Sequence, residues 1–213
     1  MCGRYLTPDQ AAFERYWGLP VPVDFAQSFN VAPSQAAPVV LMSSQGETAA
    51  RMMTWGFQPG WAKRAWINAR AETVLTSKAF ADAARRHRCL VPALGWYEWQ
   101  GEEKPKQPHV LHRDGFMPLA FAGIFTARHT DDGWVHSFAI LTRPALASIH
   151  SIHDRMPAVL RRENYAAWMS RETDPEEARR LVDAPLQAIS TYPVSTYVNK
   201  PEHDDARCIQ PVS

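Results

Sequence analysis

The sequence predicts an α+β fold, with mainly antiparallel sheets forming a barrel-like core and flanking helices, in a single domain over residues 1–213. Two observations carry this reading. Strand-type runs follow one another through the middle of the chain with only short turns between them, which excludes a regular βαβ alternation. The helical patterns are few and polar-faced, as expected of helices on the outside of a sheet core. A chain of 213 residues can bury one such core, and no second domain is required.

Thr7-Pro8-Asp9-Gln10 supplies an N-cap threonine, a proline at the first helical position and a glutamine at N3. Phe13, Tyr16 and Trp17 follow, and Gly18 and Pro20 stop the helix, so a short helix anchors residue 2 close to the body of the protein. After a proline-punctuated loop, residues 39–42 and 50–55 read as strands joined through Ser43-Ser44-Gln45-Gly46. Residues 71–86 favour helix, with Phe80 and Ala84 on one face. Strand signals then dominate at 89–91, 96–99, 109–112, 119–125 and 134–141, with turns at Asp114-Gly115 and Asp131-Asp132-Gly133. Helices follow at 162–170 and 175–182, the second opening on Thr173-Asp174-Pro175-Glu176, and residues 192–213 form an irregular, proline-rich end.

Hydrophobic residues at 46% with 21% charged residues are globular proportions, and no apolar run reaches the ~20 residues of a membrane span. Arg4, Asp9, Glu14 and Arg15 leave no apolar stretch for a signal peptide, so a cytoplasmic protein with no membrane partner is expected. Cys2, Cys89 and Cys208 are odd in number and widely spaced, which indicates neither a disulfide framework nor a CxxC metal site. Cys89 reads as a buried small hydrophobe. A net charge of +1 excludes nucleic-acid binding by bulk electrostatics, so any such contact is local. Eight tryptophans are many for this length, and several stand beside Arg, Lys or Gly rather than in apolar runs. Core packing accounts for some of them.

Cys2 is the most informative residue. A small side chain after the initiator permits removal of Met1, which leaves Cys2 with a free α-amine two carbons from its thiol. Such a 1,2-aminothiol condenses with an aldehyde to an imine, and the thiol closes on the imine carbon to give a thiazolidine. The reference pKa values, about 7.7–8.0 for the amine and about 8.5 for the thiol, leave both nucleophiles partly available at neutral pH. The alternative is a cysteine in a frayed terminus.

Four further segments combine polar residues with local constraint. In Phe29-Asn30-Val31-Ala32-Pro33, Asn30 either serves a site or bonds a turn backbone. Residues 55–72 alternate aromatic rings with cations on a Gly/Pro loop, which suits unpaired bases and phosphates, unless the tryptophans tuck into the core. In Gly95-Trp96-Tyr97-Glu98-Trp99, a strand turns Glu98 away from Tyr97 and Trp99. There it is either a carboxyl of raised pKa that trades protons near neutrality or an exposed rung. His150-Ser151-Ile152-His153-Asp154-Arg155-Met156-Pro157 places a histidine beside an acid and an arginine, a positioned proton donor or phosphate contact. His150 and His153 make half a metal site at most, because no Cys pair or HExxH element completes it.

Together the segments resemble the SRAP family, the SOS response-associated peptidase-like proteins that crosslink abasic sites in DNA. The matching motifs are Met1-Cys2-Gly3-Arg4, Asn30-Val31-Ala32-Pro33, Trp55-Gly56 with Pro59-Gly60-Trp61, Asn68-Ala69-Arg70-Ala71-Glu72, Gly95-Trp96-Tyr97-Glu98-Trp99 and His153-Asp154-Arg155-Met156-Pro157. They occur in family order and span essentially the whole chain; only 101–106 looks variable. The family's eukaryotic members carry a C-terminal extension, so this chain resembles the bacterial type. The resemblance implies that Cys2 captures the ring-opened abasic sugar as a thiazolidine and that Asn68 holds the N-terminus or the sugar. It further implies that Glu98 shuttles protons and that His153 assists imine formation and reversal. Arg4, Asn30, Trp61, Arg70 and Arg155 would contact DNA, with Trp99 supporting Glu98. The implied partner is single-stranded DNA containing abasic sites, met in the cytoplasm at lesions on the nucleoid, by a monomer needing no cofactor or metal. Two rivals remain: an N-terminal-nucleophile peptidase or amidohydrolase, which needs an oxyanion hole, and a single-stranded nucleic-acid module without chemistry.

Overall fold

Strands with apolar side chains on both faces have to be covered on both, and this chain does so by closing a barrel and wrapping helices around it. The computed structural model describes residues 2–21, 25–43, 45–102, 105–186 and 188–212; Met1, Ser44 and Ser213, which the sequence reading touches, lie outside the described residues. In chain order the elements are β1 (Tyr5–Leu6), α1 (Gln10–Trp17), β2 (Ala36–Met42), β3 (Thr48–Trp55), β4 (Asn68–Arg70), α2 (Ala81–Arg86), β5 (Arg88–Ala93), β6 (Gly95–Gln100), β7 (Gln107–His112), β8 (Leu119–Thr130), β9 (Gly133–Pro144), β10 (Arg155–Pro157), β11 (Val159–Leu160), α3 (Tyr165–Met169), α4 (Pro175–Leu181) and β12 (Ser190–Pro193).

Strand order β9-β3-β2-β5-β8 closes on itself because β8 also pairs with β9. The pairings around this ring are antiparallel except that β3, and β4 beside it, run parallel to β9. A second, antiparallel sheet, β1-β6-β7-β12, lies outside the ring. Val39, Leu41, Met53, Trp55, Cys89, Val91, Phe121, Phe138 and Ile140 form one buried cluster with Cys2, Tyr5 and Trp96. Their neighbours Val40, Leu90, Ala120, Ala122, Ile124, Ala139 and Leu141 form another, under Phe13, Ala83, Ala84 and Trp168 of the helices. The period of two thus feeds two cores from the same strands. Gly123 keeps the interior open where it is narrowest: a Cβ there would meet Cys89 Sγ at 2.8 Å and Val91 Cγ2 at 2.9 Å.

The α+β class, the antiparallel bias and the barrel agree with the sequence reading, and buried Cys89 fills the barrel as expected. Several elements differ from it. The N-cap of α1 is Asp9, whose carboxylate accepts the Ala12 amide at 2.7 Å. Thr7 is buried instead, its hydroxyl accepting the Ser28 amide. The helix expected at 71–86 shrinks to one 3-10 turn (Ala71–Thr73) and α2. Thr73, Val74, Thr76 and Ser77 account for the gap, because β-branched and hydroxyl side chains either lose rotamer freedom in a helix or compete for its backbone groups. Its apolar face survives, with Ala84 buried and Phe80 packed against the same cluster. The C-terminal segment read as irregular carries β12 and two 3-10 turns, Thr196–Asn199 and Ala206–Ile209.

Candidate active site

The N-terminal segment is held on both sides by backbone bonds. Tyr5 exchanges hydrogen bonds with Val31, and the Tyr97 amide donates to the Arg4 carbonyl at 3.0 Å. β1 pairs with β6 through Tyr5↔Trp96 and Leu6↔Gly95. Only glycine fits at position 95, because a Cβ would lie 2.5 Å from the Leu111 carbonyl oxygen. Cys2 is therefore delivered to a fixed place in the barrel core, and the Asn68 side-chain amide donates to its carbonyl at 2.8 Å.

Glu98 comes to the same place from β6. It is 2% exposed, on the strand face of Trp96 and opposite to Tyr97 and Trp99, which pack in a third cluster with Leu6, Val110 and Val194. Burial pushes its carboxyl up to about 7, and the Asp154 charge adds to the shift. Burial and the nearby Glu98 charge hold the Cys2 thiol well above its ordinary value. This corrects the expectation from reference values for the thiol, which keeps its proton until a neighbour takes it.

His153 Nε2 stands 3.9 Å from Glu98 Oε2. Its Nδ1 receives the Arg155 amide at 3.0 Å and lies 2.8 Å from an Asp154 carboxylate oxygen. A backbone N–H only donates, so in the neutral ring Nδ1 is the acceptor and Nε2 carries its hydrogen toward Glu98. In the imidazolium, Nδ1–H turns to Asp154. Burial holds the His153 pKa below its ordinary value, with Asp154 opposing.

The residues expected to contact DNA separate into two groups. Trp61 is 61% exposed, Arg70 is exposed, and Lys63 and Arg64 are exposed beside them. Arg70 follows Asn68 by two residues on β4, which puts both on the strand face opposite buried Ala69, about 7 Å apart along the chain. Arg4, Asn30 and Arg155 are engaged inside the protein. Asn30 is 0% exposed; its Oδ1 accepts from Arg4 at 3.0 Å and its Nδ2 donates to the Val198, Lys200 and His203 carbonyls. Its backbone partners thus lie in the C-terminal segment rather than in its own turn. Arg4 also donates to the Val198 and Asn199 carbonyls, so two of its bonds tie the N-terminal segment to the C-terminal one. Arg155 pairs with both oxygens of Glu72 and donates to the Thr142 carbonyl. Trp99 donates to Asn199 Oδ1 at 2.7 Å, on the far side of β6 from Glu98.

Of the aromatic loop, Trp55 and Phe57 are buried and Trp66 packs under Phe80, so the core claims most of its rings and Trp61 remains outside. Tyr5 was not singled out in the sequence, where a lone tyrosine before a helix reads as packing. It lies in the barrel, burial and then Cys2 raise its pKa, and its hydroxyl has no hydrogen-bond partner among the described residues. Asn68 Oδ1 and Trp96 Nε1 are likewise buried without a hydrogen-bond partner among the described residues. His150 is exposed, and among the described residues no group of three or more His, Cys, Asp or Glu is placed to hold a metal ion.

Comparison with known proteins gives the family and the fold. The family model for SOS response associated peptidase (SRAP) matches residues 1–201. Abasic site processing protein YedK of Escherichia coli (strain K12) is 34% identical over 189 residues, covering 86% of this chain and 84% of its own. Abasic site processing protein YoqW of Bacillus subtilis (strain 168) is 32% identical over 197 residues, covering 88% and 87%. A solved structure from Bacteroides thetaiotaomicron matches over the full length of both chains with a TM-score of 0.87 at 20% identity, a likeness of fold.

Proposed function

Because this chain belongs to the SRAP family, we propose that it captures abasic sites in single-stranded DNA as a covalent thiazolidine on Cys2, after removal of Met1, and so shields the lesion from strand cleavage. The observation that carries this reading is the meeting of residue 2, anchored through its carbonyl by Asn68, with a buried carboxyl lifted to about 7.

The steps follow from the proton positions. Glu98 moves a proton from the sugar hydroxyl to the ring oxygen, opening the closed sugar to its aldehyde. The Cys2 amine attacks the aldehyde carbon, and loss of water gives the imine, with His153 Nε2–H as the donor to the departing oxygen. The thiol sulfur then bonds to the imine carbon; its proton leaves to Glu98 and the nitrogen takes one up. Asn68 keeps the residue 2 backbone fixed throughout. An imine left unclosed is the species from which strand scission by a lyase reaction starts, so the thiol decides between shielding and cleavage.

Peptidase chemistry fits less well. A cysteine nucleophile for amides needs a depressed thiol pKa and donors aimed at an oxyanion. Here the thiol is raised, and the Asn68 amide is spent on the carbonyl of Cys2 itself. A binding module without chemistry leaves a buried carboxyl and histidine unexplained. Incubation with an abasic oligonucleotide followed by denaturing electrophoresis separates the three readings: capture gives a heat-stable shifted band, and the other two give none.

A further inference from the structure

We propose that the cleft between the Trp61 loop and the arm formed by β8 and β9 is a second stacking site, which binds unpaired bases of the strand flanking the captured lesion. The proposal rests on the capture reading above and extends it to a part of the molecule outside the Cys2 site.

The cleft has a volume of about 370 Å³, and its walls include Phe57, Trp61, Lys78, His87, Phe125 and His136. No Leu, Ile, Val or Met lines it. Flat rings with polar edges suit a nucleobase, which offers a π face and a hydrogen-bonding rim, better than they suit an aliphatic peptide side chain. On the arm, the register pairs Phe125 with Phe138, Ala127 with His136 and His129 with Trp134. These pairs share one face, so His129 and Trp134 continue the cleft wall outward from His136. Trp134 is 67% exposed and makes an edge contact with His129 at 5.4 Å. Trp61 lines the cleft, and Trp134, the other exposed tryptophan among the described residues, lies on β9 two residues from the lining His136.

Charge and distance agree with a strand passing through. Lys78 lines the cleft, exposed Lys63 and Arg64 belong to the Trp61 loop, and the carboxylate in the wall, Asp82, is 3.3 Å from Arg86. Asp131 and Asp132 at the turn of the arm repel phosphate, which confines the strand to the base of the arm. β9 carries the position reference: Ile140 is in register with Asn68, and His136 precedes it by four residues, about 13 Å along the strand. A few nucleotides cover that span.

The test uses abasic oligonucleotides extended on one side of the lesion at a time, from about one to about eight nucleotides, with wild-type protein, Trp134→Ala, His136→Ala and Trp134→Phe. Capture is timed at subsaturating DNA, and undamaged oligonucleotides of the same lengths are titrated by fluorescence anisotropy. Extension of one flank should accelerate wild-type capture, and Trp134→Ala should remove roughly ten-fold of that gain. Capture of the shortest substrate should stay unchanged, and Trp134→Phe should restore the gain. Wild-type length dependence in both alanine variants overturns the proposal, including the case in which the cleft serves a protein partner. If no protein forms an adduct but undamaged DNA binds in a Trp134-dependent way, the stacking site stands and the capture reading falls.

Discussion

Burial raises the proton affinity of both Glu98 and Cys2, and the Glu98 charge adds to the shift at the Cys2 thiol. A carboxyl with a pKa of about 7 is both donor and acceptor at neutral pH, which the opening of a sugar and the closing of a thiazolidine require in turn. Glu98→Gln should slow capture by about 10²–10⁴-fold at neutral pH, measured by single-turnover time courses on denaturing gels. The same shift has a stability consequence. The folded-state pKa lies above the unfolded one, so the folded state holds the extra proton; that contribution is present at low pH and is lost as pH rises toward and past about 7. Denaturant unfolding should therefore show Glu98→Gln gaining stability relative to wild type between pH 5 and pH 8, and a constant difference across that range would contradict the burial argument. His153 Nε2 faces Glu98 at 3.9 Å, and the role proposed for it is to protonate the group leaving an imine already formed, in either direction. His153→Ala should slow both capture and release into excess competitor abasic DNA. Wild-type release from this variant removes the role.

The clamp between β1 and the C-terminal 3-10 turn makes Arg4 and Asn30 positioning residues for Cys2. Asn30→Ala removes the four hydrogen bonds of a fully buried amide, one from Arg4 and three to carbonyl groups, at a cost of roughly 1–3 kcal/mol. It should also lower the rate of capture at saturating DNA while leaving binding of undamaged DNA close to wild type. The opposite split, weak binding with normal saturated capture, returns Asn30 to the DNA-contacting set. These contacts also explain which parts of the site were legible. Cys2, Glu98 and His153 carry chemistry that local sequence makes visible: a terminal aminothiol, a carboxyl among aromatics, a histidine between acid and arginine. Arg4, Asn30 and Arg155 look the same in sequence as cations and amides that meet DNA, and only long-range pairing reveals that their partners are Val198, His203 and Glu72. β4 was hidden for a related reason: three residues, Asn68–Arg70, become a strand by pairing in parallel with β9, which no local periodicity announces.

The barrel itself was readable as a class, because strand runs separated by turns dictate an antiparallel system, but its closure through β8 and β9 was not. Closure fixes where the two ends of the chain meet: β1 enters beside β6, the C-terminal segment returns to lock Arg4, and no helix among the described residues is long and apolar enough to cross a membrane. In a molecule with a net charge of +1, the proposed DNA binding rests on a local set of contacts near Trp61 and Arg70. Arg70→Ala should weaken binding to single-stranded DNA and reduce the salt slope by about 0.7, the single-strand value for one phosphate. Duplex abasic DNA should be captured more slowly than single-stranded DNA, because Trp61 needs an unpaired base. The central claim is that the α-amine and the thiol of one residue form the bond. It is tested most directly by the intact mass of the purified protein and of its adduct with an abasic oligonucleotide. The account predicts a protein short of Met1 and an adduct equal to that protein plus the oligonucleotide less one water, absent as a heat-stable species in Cys2→Ala. A retained or acetylated N-terminus in crosslink-forming protein, or an undiminished heat-stable adduct in Cys2→Ala, would contradict it.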